Sequence, residues 1–65
     1  MESLEELADE VAALERRVSD VIFETVREQL RGEDAEAAKA LERQLSRVRR
    51  SLQKAELLLR RGEDD

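Results

Sequence analysis

Leu30-Arg31-Gly32-Glu33-Asp34-Ala35 is the stretch on which the fold turns. It holds one of only two glycines in the 65-residue chain, and it separates two long segments with no Gly or Pro. On its N-terminal side, residues 3–31 are rich in Glu, Leu, Ala and Arg. On its C-terminal side, residues 35–61 have the same character. These residue types lose little side-chain freedom in a helix, so each segment is expected to be one long helix. Gly32 suits the position just past a helix end, where a left-handed backbone is needed. Asp34 suits the N-cap of a second helix, with Glu36 at its positive end. The connection of about three residues (32–34) makes the two helices antiparallel neighbours.

The outer ends carry matching signals. Ser3 is a candidate N-cap, and Glu6, three residues on, completes a capping box. Arg60 and Arg61 fall in the last turn of the second helix, where cations are favoured, and Gly62 ends it. The acidic tail 62–65 is expected to be disordered.

Heptad spacing defines a seam on each helix. On the first it runs Leu4, Leu7, Val11, Leu14, Val18, Val21, Thr25. On the second it runs Ala38, Leu41, Leu45, Val48, Leu52, Ala55, Leu59. Both alternate steps of three and four residues, as a coiled-coil seam does. Folding the chain at residue 33 places Leu7 opposite Leu59, Leu14 opposite Leu52 and Val21 opposite Leu45, and the numbers of every such pair add to 66. Two seams sharing one register, closed by the length of the connection, predict an all-α antiparallel two-helix hairpin, residues 1–65 forming one domain. At the seam's edge this register sets Glu15 beside Arg49. It also lays the acidic start of the first helix along the basic end of the second.

Composition bounds what such a hairpin can do. Twelve Lys and Arg against 17 Asp and Glu give a net charge of −5, and charged residues make up 45%. Cys and His are absent, which removes disulfides, thiolate sites and His-based metal or acid–base chemistry. Paired carboxylates such as Glu5 with Asp9, or Glu6 with Glu10, face outward and carry no His beside them, so no cofactor or metal site is expected. The Ser and Thr residues lack a base, and the chain is read as a non-enzyme. No apolar run approaches membrane-spanning length and the start is acidic, which points to a cytoplasmic protein without a membrane anchor. The 26 apolar residues include eight Ala, leaving 18 larger side chains. Chains this short seldom reach more than a few kcal/mol from one core without a staple. Association is the remaining route, either with another helical protein or with a second copy in a four-helix bundle.

Apolar residues left off the seam suggest where. Ile22, Phe23, Val26 and Leu30 cluster in the last third of the first helix, and Ala12 and Ser19 extend a small-residue strip from them, joined by Ala8. Contiguous apolar residues outside a hairpin seam point to a docking face, so Ala12, Ser19, Ile22, Phe23, Val26 and Leu30 are the candidate partner-binding residues. The plainer reading is that Phe23 and Leu30 fold over the end of the hairpin. The second helix adds Leu57 and Leu58. A basic stripe of Arg43, Arg47, Arg50, Lys54 and Arg61 could track phosphates, but the negative net charge and the lack of Tyr and Trp favour a solvated face over nucleic-acid binding.

The opening Met1-Glu2-Ser3-Leu4-Glu5-Glu6 and the stretch Leu30–Ala35, a basic-Gly-x-Asp type of turn, resemble the small E-type co-chaperones of type III secretion needle proteins. Helix lengths and the place of the turn are similar along the whole chain. The regions after the turn and near the C-terminus, Ala37-Ala38-Lys39 and Leu57-Leu58-Leu59-Arg60, depart from the family in lacking its aromatic residues. The resemblance implies a cytoplasmic hairpin that binds a helical-repeat chaperone. In that family the pair holds the needle subunit soluble before export, and the hairpin mainly supports the chaperone.

Overall fold

The structure, a computed structural model, describes residues 2–30 and 35–61, with the side chain of Leu30 not described. Within them the chain forms two α-helices that pack against each other, α1 (Leu4–Leu30) and α2 (Ala35–Arg61), each of 27 residues. The expected turn at 32–34, the capping roles of Gly32, Asp34 and Gly62, and the tail 62–65 lie outside the described residues.

The start of α1 is fixed as its sequence predicts. The Ser3 hydroxyl accepts a hydrogen bond from the Glu6 backbone N–H at 3.0 Å, and the Glu6 carboxylate accepts one from the Ser3 N–H, also at 3.0 Å. The Ser3 carbonyl takes the first intrahelical bond, from Leu7 N–H, at 3.1 Å. Three donors at the helix end are thereby satisfied, and Glu5 and Glu6 add negative charge where the helix dipole favours it. Ser3→Ala is expected to cost about 1 kcal/mol in urea unfolding, with Ser3→Asp recovering most of it.

The packing between the helices differs from the expected seam. Among the described residues only Ala8, at 0% exposure, and Thr25, at 5%, are buried. Leu4, Leu14, Val21, Leu41 and Val48, all expected in the seam, are 40–46% exposed, while its Leu7, Val11, Val18, Leu45, Leu52 and Leu59 are half-buried. Half-buried positions on α1 include Ala12, Ser19, Ile22 and Val26, which the sequence reading left for a partner. Helix α1 is thus rolled so that its small-residue strip faces α2. The physical reason is access: Ala8, Ala12 and Ser19 let a second helix approach closely, while a stripe of Leu and Val holds it away. Thr25, a seam position that is buried as expected, donates its hydroxyl to the Val21 carbonyl one turn back at 2.8 Å, so its burial leaves no unmet donor.

The result is a rod of 47 × 19 × 14 Å with a radius of gyration of 14.9 Å, against about 11 Å for a compact chain of this length. Its accessible surface is 5184 Å², whereas a compact folded monomer of 7.5 kDa exposes about 4,200 Å².

Candidate functional site

Polar contacts between the helices run along one side of the rod. Arg60 Nη2 donates to Asp9 Oδ1 at 3.1 Å, and within α2 Arg60 Nε donates to Glu56 Oε2 at 2.8 Å. Gln53 Nε2 donates to Glu15 Oε2 and Gln29 Nε2 to Glu42 Oε1, both at 2.8 Å. The expected approach of the acidic start of α1 to the basic end of α2 is realised through Asp9 and Arg60. The expected Glu15–Arg49 pair is not formed: Glu15 reaches Gln53, one turn further along α2. Arg49 Nε is buried with no hydrogen-bond partner. An unmet buried donor is costly, so Arg49→Met is expected to keep or raise stability by about 1 kcal/mol in thermal unfolding.

These contacts fix the sidedness of everything else. Residues advance about 100° per position around a helix. Measured from the line of contact with α2, Asp9 lies to one side of α1, and Leu14 and Val21 lie to the other. On α2, Arg60 lies to one side, and Leu41 and Val48 to the other. Asp9 and Arg60 touch, so they mark one face of the hairpin. Leu14, Val21, Leu41 and Val48 therefore share the opposite face. Their exposures are 43%, 46%, 44% and 40%, and Leu58, at 53%, extends the face along α2. Half-buried Leu7, Val18, Leu45, Leu52 and Ala55 form its floor. One face of the rod is apolar across both helices, and the opposite one carries the ion pair and amide contacts.

The six candidate partner-binding residues divide on this frame. Ala12, Ser19, Ile22 and Val26 are half-buried along the contact with α2. Phe23, at 69% exposure, turns toward the polar face, away from Leu14 and Val21. Leu30 has no described side chain. The sequence reading missed Leu14, Val21, Leu41 and Val48 as surface residues because their heptad spacing assigned them to the seam. Leu57, at 63% exposure, points outward from α2.

The basic stripe stays on the outside of α2. Lys39, Arg43, Arg47 and Arg50, with Gln29, Glu42 and Ser46, line a shallow open groove there. Glu10, on the outer edge of α1, has its carboxyl held above the ordinary value by a hydrogen bond with Glu2 and by the charges of Glu2 and Glu6. Arg60 is pushed above its ordinary value by its bonds to Glu56 and Asp9, and so stays charged. Among the described residues no cluster of three or more His, Cys, Asp or Glu could hold a metal ion, and no helix is long and apolar enough to cross a membrane.

Comparison of the chain with protein-family models, with curated proteins and with solved structures finds no match.

Proposed function

We propose that this chain is a protein-binding module whose apolar face is covered by helices of another chain. Two further helices laid on Leu14, Val21, Leu41 and Val48 complete a four-helix bundle. The observation that carries this reading is the near absence of a closed core: among the described residues the hairpin fully buries only Ala8 and Thr25, and it leaves a contiguous two-helix apolar face in contact with water. Contiguous apolar surface of this kind on a small protein marks an interaction site.

The resemblance to the E-type co-chaperones supplies the biological form of the proposal. The hairpin supports a helical-repeat chaperone in the cytoplasm, and that chaperone holds a secretion needle subunit soluble before export. The reading gives no residue a catalytic role. The test is affinity capture from the native cell with identification of what binds, comparing the natural chain with the Val21→Glu/Val48→Glu variant. A helical-repeat protein lost with the variant supports the proposal. The same proteins captured by both chains removes the face from it.

A further inference from the structure

We propose that the basic groove on the outside of α2 is a docking site for an acidic α-helix of another protein. It is a second site. Arg43 and Arg50 stand two residues on from Leu41 and Val48, about 200° round α2, and so face away from the apolar face. What covers that face does not enter the proposal.

The chain as a whole carries a net charge of −5, yet residues 39–54 hold six Lys and Arg against one Glu. Four of the six, Lys39, Arg43, Arg47 and Arg50, line the groove. Cations elsewhere in the hairpin have carboxylates set against them. Arg27 meets Glu24 at 3.6 Å, and Arg60 meets Glu56 at 2.8 Å and Asp9 at 3.1 Å. Among the described residues Arg43, Arg47 and Arg50 make no ion pair, and no Asp or Glu stands three or four residues from any of them. The charged residues at that spacing are Lys39, Lys54 and one another. Like charges so placed destabilise a helix. The carboxylate that lines the groove, Glu42, is already held by the Gln29 amide at 2.8 Å. A solvated helix face ordinarily alternates the two signs. This one keeps a repulsion that an anion from outside relieves.

Geometry and one neighbouring side chain select the anion. The four cations advance by four, four and three residues, which spreads them over about 16 Å of α2. Carboxylates repeating every three or four residues on a second helix cover the same distance in the same number of steps. An extended segment with acids on alternate residues needs about 20 Å for four of them. Each Arg guanidinium suits a carboxylate through two parallel hydrogen bonds. Leu57, 63% exposed, continues the line of Arg43 and Arg50 one heptad further along α2. An apolar side chain at the end of a cationic row suits an amphipathic protein helix and offers a phosphate chain nothing. No aromatic side chain lines the groove to stack a nucleic-acid base.

The test uses the purified full chain and a labelled three-heptad helical peptide, with Glu at alternating three- and four-residue spacing and one Leu continuing the acidic stripe. Fluorescence anisotropy at low salt is expected to show saturable binding that weakens as salt rises. Arg43→Gln/Arg50→Gln is expected to weaken it at least tenfold, with helix content by circular dichroism unchanged. Arg16→Gln/Arg17→Gln makes the same change in net charge about 18 Å or more along α1 from Gln29, and is expected to stay within threefold of the natural chain. Leu57→Ser is expected to weaken the peptide at least threefold and to leave inorganic tripolyphosphate unaffected. Absence of binding at low salt, or equal losses from the two Arg pairs, overturns the proposal. So does equal binding of a peptide of the same composition interrupted by Pro, because the groove would then read charge and not a helix. Tripolyphosphate or single-stranded RNA that displaces the peptide at a lower concentration of charge assigns the groove to phosphate and overturns it too. None of these results touches the partner of the apolar face, so the two readings fail separately.

Discussion

A chain carrying Val21→Glu and Val48→Glu loses association with its covering helices by more than 100-fold, while Phe23→Glu changes it by less than about threefold. The two valines sit next to each other across the hairpin at the middle of the apolar face, 46% and 40% exposed. Covering them removes their remaining apolar surface from water, worth about 1 kcal/mol each. A carboxylate at either position loses that gain and must also be desolvated without a partner, which costs several kcal/mol more. A loss beyond 100-fold corresponds to about 3 kcal/mol, and the pair of substitutions exceeds it comfortably. The hairpin itself loses little, because both side chains are nearly half in water before anything docks. Phe23 is the larger and more exposed side chain, and the sequence pattern singles it out. It lies, however, on the side of α1 turned toward Asp9 and Arg60. Titration calorimetry or sedimentation on the two variants decides between the faces, and equal losses from both would mean that the covering helices wrap around α1 rather than lie on the two-helix face.

The contrast between Phe23 and Val21 shows where sequence reasoning reaches and where it stops. Helix existence was legible because 27-residue segments without Gly or Pro have no competing local structure. The Ser3–Glu6 capping box was legible because it depends only on residues three apart. The approach of Asp9 to Arg60 followed from antiparallel packing and the charge at each helix end. The roll of α1 was not legible. Its apolar surface is wider than one contact stripe, with Leu4, Leu7, Leu14 and Val21 on one side and Ala8, Ala12, Ser19 and Val26 adjoining them. Periodicity gives the direction of that whole surface and says nothing about which edge a neighbouring helix takes. The choice depends on how closely the backbones approach and on cross-helix bonds such as Glu15 with Gln53, both properties of the assembled pair. A rotation of a fraction of a turn then moved Leu14 and Val21 from core to surface, and the candidate site moved with them.

Ala8→Leu lowers the stability of the hairpin by about 1–3 kcal/mol, and in a protein of this size that is enough to unfold much of it. Local preference argues the other way. Leu is nearly as good a helix former as Ala, and Ala8 adjoins the apolar stripe of α1, where a larger side chain would ordinarily add burial. Were Leu4, Leu7 and Val11 the line of closest contact, the leucine introduced by Ala8→Leu would lie beside it and stabilise the fold. Ala8 has instead 0% exposure, which leaves no space for three further carbons unless α2 moves away. Such a movement would stretch the Arg60–Asp9 and Gln53–Glu15 bonds, which lie along the same stretch of the hairpin. Ala8→Ser is the control. It lowers helix propensity by about half a kcal/mol but adds a single heavy atom, so it is expected to be the milder of the two. Urea unfolding at fixed protein concentration, which holds any association constant, measures both. An Ala8→Leu chain more stable than the Ala8→Ser chain would place the contact line back on the Leu and Val stripe, and with it would remove the exposed two-helix face on which the proposed binding depends.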